Sequence, residues 1–205
     1  MYRGEWFNSL SHLLGAVAAL AGMVVLVVFA TLQGDVWKIV SFSVYGLSLF
    51  LLYLFSTLYH SFNGEKKKLF RKFDYIAIYL LIAGSYTPFA LVTLNGTWGW
   101  SLFGVVWGLA IIGIVLDALP TEGRRIIPMI IYVLMGWLVI VAINPLLDSL
   151  TTTGVIWLLA GGLCYSFGLI FFALDSRYPV FHAIWHLFVL AGSTTHYITI
   201  FLYVL

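Results

Sequence analysis

Long apolar segments that alternate with short polar breaks are the feature of this sequence that most constrains its fold. Each segment is close to the ~20 residues that an α-helix needs to cross about 30 Å of hydrocarbon. None of the breaks is long enough to fold separately. The prediction is an all-α polytopic membrane protein in which residues 1–205 form one seven-transmembrane-helix bundle. The predicted spans are about 10–31, 39–59, 75–94, 98–116, 127–143, 155–174 and 183–205.

The composition agrees with lipid as the solvent of this chain. Hydrophobic residues make up 62% of the 205 residues and charged residues 9%, against about 25% charged residues in an average soluble domain. A soluble fold of this size could not hide so much apolar surface. The single cysteine, Cys164, excludes an intrachain disulfide.

The placement of lysine and arginine predicts the orientation. Only Lys38 falls on one side of the predicted bundle, and the cytoplasmic side of a membrane protein carries the excess of basic residues. The amino end is therefore expected in the cytoplasm and the carboxyl end outside. We interpret the basic run 66–72 as a topology signal and expect no nucleic-acid partner. The basic residues of the predicted cytoplasmic side are Arg3, Lys66, Lys67, Lys68, Arg71, Lys72, Arg124, Arg125 and Arg177.

Several ionisable residues from distant parts of the sequence fall at this cytoplasmic side. His60 ends the second span, Asp74 begins the third, and His182 and His186 lie at the start of the seventh. His12 enters the first span from the same side. Because ionisable groups in spans are costly, such a group of residues indicates a functional site.

The spacing of these histidines predicts a metal centre. His182 and His186 are four residues apart, so both project from one face of a helix and can bind one ion. His60 supplies a third imidazole, and three ligands leave one tetrahedral position open, as in catalytic zinc sites. Zinc is the preferred metal, although iron and copper also accept imidazole ligands.

Two further side chains complete the predicted site. Ser56 lies one helical turn before His60, and Asp74 is placed to accept a hydrogen bond from a water molecule or to act as its general base. For His12 we expect an interfacial or hydrogen-bonded role. His196 lies ten residues beyond His186, roughly 15 Å along a helix, so it is expected to form a polar lining or an interhelical hydrogen bond.

Four stretches of the sequence resemble the progestin and adipoQ receptor family, in particular its bacterial hemolysin III branch. They are "EWFNSLSHLLGA", Ser56–His60 as SxxxH, Asp74–Phe89 as DYxxIxxLIxGSYTPF, and HxxxH followed by a histidine ten residues later. The resemblance implies a seven-helix fold in the cell (inner) membrane and a zinc ion held by three histidines near the inner leaflet. These ligands map onto His60, His182 and His186, with a zinc-bound water contacting Asp74 and with Ser56 close by.

The family is similar in site design to the membrane alkaline ceramidases, which suggests a zinc-dependent hydrolase acting on lipid amides or esters. In that mechanism zinc lowers the pKa of its water, Asp74 takes the proton, and Ser56 helps to hold the water or the oxyanion. One alternative is a non-enzymatic regulator or sensor of membrane state with a structural zinc, and a less favoured one is a hemolysin-type pore former. Membrane lipids are the expected partners, one of them as substrate. Gly104 and Gly108 suit close helix contact, within the bundle or in a homo-oligomer.

Overall fold

The computed structural model describes residues 4–119 and 125–205, which contain no β-strand. The predicted all-α class is confirmed for these residues, and helices pair their interior backbone N–H and C=O groups within one segment, as a lipid environment requires. The third helix continues beyond Pro88 as a π-helical segment, and the fifth helix contains a short 3-10 segment at 138–142. The helices are α1 Trp6–Gln33, α2 Val36–Ser61, α3 Gly64–Leu94, α4 Gly96–Ala118, α5 Ile126–Ser149, α6 Thr152–Leu174 and α7 Val180–Tyr203.

Helices α1 to α6 are long and apolar enough to cross a membrane. Helix α7 has a similar length of 24 residues, and it carries three histidines and several hydroxyl side chains. The described chain is therefore a polytopic helical membrane protein with seven long helices. The placement of its two ends on opposite sides of the membrane stays a prediction.

The third helix begins earlier than the hydropathy pattern predicts. Helix α3 starts at Gly64, so the basic run 66–72 is helical rather than part of a connecting loop. The acidic side chain of Glu65 lies in its first turn and pairs with Lys68 at 2.7 Å, an arrangement that favours a helix start. Apolar runs do not reveal such a polar extension. Arg3 and Arg124, which contributed to the predicted orientation, lie outside the described residues.

Close packing of α1 brings the site residues together. Helix α1 contacts both α2 and α7. A Cβ atom on Gly15 would lie 2.8 Å from the ring of Tyr53, so glycine is what allows α1 to approach α2 this closely. His12 lies one turn before Gly15. The start of α1, the end of α2 and the start of α7 thereby meet at one end of the bundle.

Gly104 and Gly108 of α4 do not mediate helix contact in the described bundle. No atom lies within 4 Å of a Cβ atom built on either glycine. The first of the two predicted roles, contact within the bundle, is therefore not found among the described residues.

Candidate metal centre

The three predicted ligands converge at this end of the bundle. His60, in the last turn of α2, is 2% exposed, and His186 is 1% exposed. Each of the three side chains offers a ligand atom within 4.8 Å of the other two. The ring centroids are 4.9 to 5.0 Å apart for all three pairs, so the rings of His60, His182 and His186 surround one point.

Two of these rings are oriented by carboxylates. The Nδ1 atom of His60 lies 2.5 Å from Glu5 Oε2, and the Nδ1 atom of His182 lies 2.8 Å from Asp175 Oδ2. An ionised carboxylate can only accept a hydrogen bond, so each Nδ1 carries the hydrogen. In a neutral ring the Nε2 atom is then an unprotonated ligand atom. This carboxylate–imidazole arrangement is the one that orients histidine ligands in metal sites.

The contact between the two oriented rings tests whether a metal fits. The Nε2 atoms of His60 and His182 are 3.1 Å apart. Because the Nδ1 atoms hold the hydrogens, two neutral rings would face each other with lone pairs and no hydrogen bond between them. Two nitrogens bound to one tetrahedral zinc ion lie roughly 3.3 Å apart. A cation bound by both Nε2 atoms would remove the repulsion between their lone pairs, so the residues present fit a metal ion.

Glu5 anchors the segment before α1 to this centre. It also accepts hydrogen bonds from Asn8 at 3.1 Å and from Lys67 at 3.0 Å. The hydrogen bond from His60, together with those from Lys67 and Asn8, holds the pKa of the Glu5 carboxyl well below its usual range despite partial burial. Glu5 is therefore ionised at neutral pH and remains an acceptor for the His60 ring.

His12 lies beside the centre without joining it. Its ring stacks on His186 with centroids 3.7 Å apart, and it is 3% exposed. Neither ring nitrogen has a hydrogen-bond partner among the described residues. The expected interfacial or hydrogen-bonded role is therefore wrong for the described structure, because α1 carries the ring into the packed interior, where it contacts His186 and Tyr53.

Asp74 and Ser56 share a small cavity next to two of the ligands. The cavity, of about 20 Å³, is lined by Asp74, Ser56, His182, His186 and His12, together with apolar side chains. This volume accommodates one water molecule, and the lining offers enough polar groups to bind it. The structure thus brings the two predicted catalytic side chains to the ligands.

A second, larger cavity opens on the other side of the ligands. Its volume is about 960 Å³, and His60 and His182 form part of its wall. Arg125 and Arg177 also line it, and the Arg125 guanidinium lies 3.5 Å from the ring centroid of Tyr75. The ligands therefore lie between the small cavity at Asp74 and an open cavity that is lined by both arginine and carboxylate side chains.

His196 takes no part in this centre. Its Nε2 atom lies 3.1 Å from the carbonyl oxygen of Leu158 on α6. The predicted interhelical hydrogen bond is confirmed.

Sequence reasoning missed Glu5 and Asp175. Both are partly buried and hold the Nδ1 atom of a candidate ligand. A signal for Asp175 was available, since it is the only carboxylate in the break before the HxxxH pair. The contact of Glu5 with His60 joins residues 55 positions apart and depends on how α1 packs on α2.

These features define a class: a polytopic helical membrane protein with a partly buried three-histidine cluster that could hold a metal ion. The model of the haemolysin-III related family matches residues 1–197. The chain belongs to that family.

Relatives of this chain cover nearly its whole length. Hemolysin-3 of Bacillus cereus is 49% identical over 202 residues, which span 98% of this chain and 92% of that protein. The Hemolysin-3 homolog of Bacillus subtilis is 42% identical over 97% of this chain and 93% of its own length. The human monocyte to macrophage differentiation factor is 31% identical over 96% of this chain and 82% of its own length.

Proposed function

We propose that this chain is an integral membrane zinc hydrolase that cleaves lipid amides or esters at the inner leaflet of the cell membrane. The observation that carries the proposal is the convergence of His60, His182 and His186 beside a cavity lined by Asp74 and Ser56. The excess of lysine and arginine at this end of the bundle supports its placement at the cytoplasmic face. The two Bacillus relatives support a bacterial cell membrane.

The residues of the chain have separate roles in this proposal. His60, His182 and His186 hold the ion, and Glu5 and Asp175 orient two of these rings. A bound Zn²⁺ supplies Lewis-acid activation of water and of an acyl carbonyl group. Asp74 accepts the proton of a water molecule in the small cavity, and Ser56 donates a hydrogen bond that orients the water or the developing oxyanion.

The cavities on the two sides of the ligands suit a lipid substrate. The large cavity carries Arg125, Arg177 and Tyr75 and provides a polar environment for a headgroup. A separate cavity of about 110 Å³ adjoins the small one through Leu52, Ile78, Trp185 and Val189, and its wall is mainly apolar. A lipid amide or ester lying across the ligands would therefore meet a polar environment on one side and an apolar one on the other.

Metal removal and restoration test the proposal. Purified protein in lipid nanodiscs is treated with a chelator and then reloaded with Zn²⁺, and release of fatty acid from fluorescent ceramides and from ester analogues is measured at each stage. We expect release before treatment, loss after chelation and recovery on reloading. Zinc-loaded protein that releases no fatty acid from any amide or ester, under conditions in which a ceramidase is active, would overturn the hydrolase proposal.

A structural metal in a non-enzymatic regulator is the second candidate. It is favoured by the way the ligands link α2 to α7 across 122 positions of sequence, while Glu5 ties in the segment before α1. In that case His60→Ala unfolds this end of the bundle, and Asp74→Asn leaves the physiological response intact. Lysis of red cells by purified protein without detergent would instead favour the pore-forming alternative.

A further inference from the structure

The first turns of α3 carry an exposed basic surface close to the metal centre. Lys67 turns inward and donates a hydrogen bond to Glu5 at 3.0 Å. Lys68, Arg71 and Lys72 lie on another side of the helix, which is exposed, because they are three or four residues apart. We call these three residues the α3 basic face.

The length of α3 places this face at the depth of the lipid headgroups. The helix has 31 residues, whereas its apolar part begins at Tyr75, three to seven residues after the basic face. That separation is roughly 5–11 Å along the helix axis. Each headgroup layer adds about 5–8 Å to the hydrocarbon core of the membrane, and lysine and arginine side chains are long enough to span the remaining distance.

Two exposed apolar side chains lie next to the basic face. Leu69 is 50% exposed and Phe73 is 36% exposed, and their spacing of four residues aligns them along the helix. Cations beside an apolar stripe are the arrangement with which a helix contacts both headgroups and the outer part of the acyl chains. A nucleic acid or a free phosphate would leave this stripe in water, so a lipid is the better match.

The positive charge of this face is only partly balanced by the protein. Glu65 pairs with Lys68 at 2.7 Å, but both side chains are mostly exposed, so the pair contributes little. Neither Arg71 nor Lys72 forms an ion pair with another described residue. Like charges three and four residues apart repel each other on a helix. An anion bound between these side chains would relieve that repulsion.

We propose that the α3 basic face binds the headgroups of anionic phospholipids in the leaflet at the metal-centre end of the bundle. The phosphodiester group accepts charge-assisted hydrogen bonds from the guanidinium and ammonium groups, while Leu69 and Phe73 contact the outer part of the acyl chains. A zwitterionic phospholipid binds less well because its own cation opposes these charges. None of these five side chains lines a cavity described above, so this surface is independent of the proposed hydrolysis.

Photolabelling of protein in phosphatidylcholine nanodiscs tests this surface. The probes are phosphatidylglycerol and phosphatidylcholine with the same diazirine on an acyl chain near the glycerol, each at the same low fraction. Labels within residues 64–73 are mapped by mass spectrometry. We expect the anionic probe to label this segment at least about five-fold more than the zwitterionic one, the ratio that a single cation supplies near anionic lipid. High salt should reduce the preference, because it screens the charges.

Three variants make the result specific. The triple variant Lys68→Gln, Arg71→Gln, Lys72→Gln removes the charges and should label equally with the two probes to within about two-fold. The triple variant Lys68→Arg, Arg71→Lys, Lys72→Arg keeps the charges and should retain the wild-type preference. Lys38→Gln, at the end of α2 that is opposite His60, is the matched control and should behave as the wild type. Both leaflets of a nanodisc have the same composition, so the ratio does not depend on the orientation of the protein.

Several results would overturn the proposal. One is equal labelling by the two probes in the wild type, and another is a preference that the glutamine triple variant keeps. A preference lost in inorganic phosphate but not in chloride of equal ionic strength would identify free phosphate as the ligand. Equal lipid labelling together with an oligonucleotide that the wild type retains and the glutamine variant does not would assign the face to nucleic acid. Should the glutamine variant not fold, the wild-type ratio decides.

Discussion

Helix α7 carries histidines in two regions, and the two regions differ in which nitrogen of the imidazole ring has a hydrogen-bond partner. At its start, the Nδ1 atom of His182 is held by Asp175, and Nε2 faces the Nε2 atom of His60. Fourteen residues further on, the Nε2 atom of His196 is held by a backbone carbonyl, and Nδ1 is left without a partner. The first arrangement collects unprotonated nitrogens at one point, and the second leaves a single buried acceptor without a partner among the described residues.

The difference lies in the partners rather than in the histidines. Carboxylates beside His60 and His182 fix the tautomer that a metal ligand needs and would place negative charge near a bound cation. The described surroundings of His196 contain neither a carboxylate nor a second imidazole. Burial of an imidazole in a membrane helix is therefore compatible with either a metal centre or a hydrogen-bonding site, and its neighbours decide between them.

The largest expected effect is on metal content, which should depend on His182 and His186 but not on His196. In the double variant His182→Ala, His186→Ala, two of three ligands are lost, and we expect less than about a tenth of the wild-type metal content because one imidazole binds weakly. The variant His196→Ala removes a buried ring from the same helix and should keep the full content. Metal analysis of the three purified proteins measures this. Equal loss in both variants would show that α7 folding, not ligation, governs the metal.

The next effect concerns Asp74, which lines the small cavity beside His182 and His186 and does not hold either ring. Asp74→Asn should lower the rate of lipid hydrolysis by about 10²- to 10⁴-fold, the usual contribution of a general base, while the metal content stays at the wild-type level. Asp148→Asn, at an exposed position of α5, is the control and should leave the rate unchanged. If the Asp74 variant loses its metal together with its activity, Asp74 belongs to the ligand set rather than to the proton-transfer step.

The orienting carboxylates should have a smaller effect, on affinity. Glu5→Gln and Asp175→Asn each keep a hydrogen-bond acceptor and lose the charge, and we expect zinc affinity to fall by about 10- to 100-fold in each. Competition with a chelating dye measures the affinity. Glu65→Gln changes the same functional group on an exposed side chain and serves as the control. Unchanged affinity in both variants would mean that the carboxylates do not act through the rings.

Local patterns in the sequence were sufficient to predict the helical class and the three candidate ligands. The i,i+4 spacing of His182 and His186 is a property of one helix, and the position of His60 at a span end followed from counting apolar runs. The start of α3 at Gly64 was not predictable in this way, because its first turns are charged and hydropathy reports only the apolar part of a helix. Contacts between distant segments, such as Glu5 with His60, depend on helix packing, which no spacing rule supplies.

His12 is another case in which a contact between distant segments could not be predicted from the sequence. From the sequence it was one more histidine at the correct depth. In the structure its ring stacks on that of His186, and neither of its nitrogens has a hydrogen-bond partner among the described residues. His12 therefore lies beside the candidate metal centre but has neither an orienting carboxylate nor a carbonyl partner among the described residues.

The smallest expected effect tests whether His12 acts through its shape or through its nitrogens. If the ring only supports His186, His12→Phe preserves the stacking and should change the free energy of unfolding by less than about 1.5 kcal/mol, with zinc affinity nearly unchanged. His12→Ala leaves a cavity and should cost roughly 2–5 kcal/mol. Thermal unfolding and dye competition on both variants measure these effects. A phenylalanine variant as damaging as the alanine one would mean that the His12 nitrogens bind a partner, because the two substitutions share only the loss of those atoms.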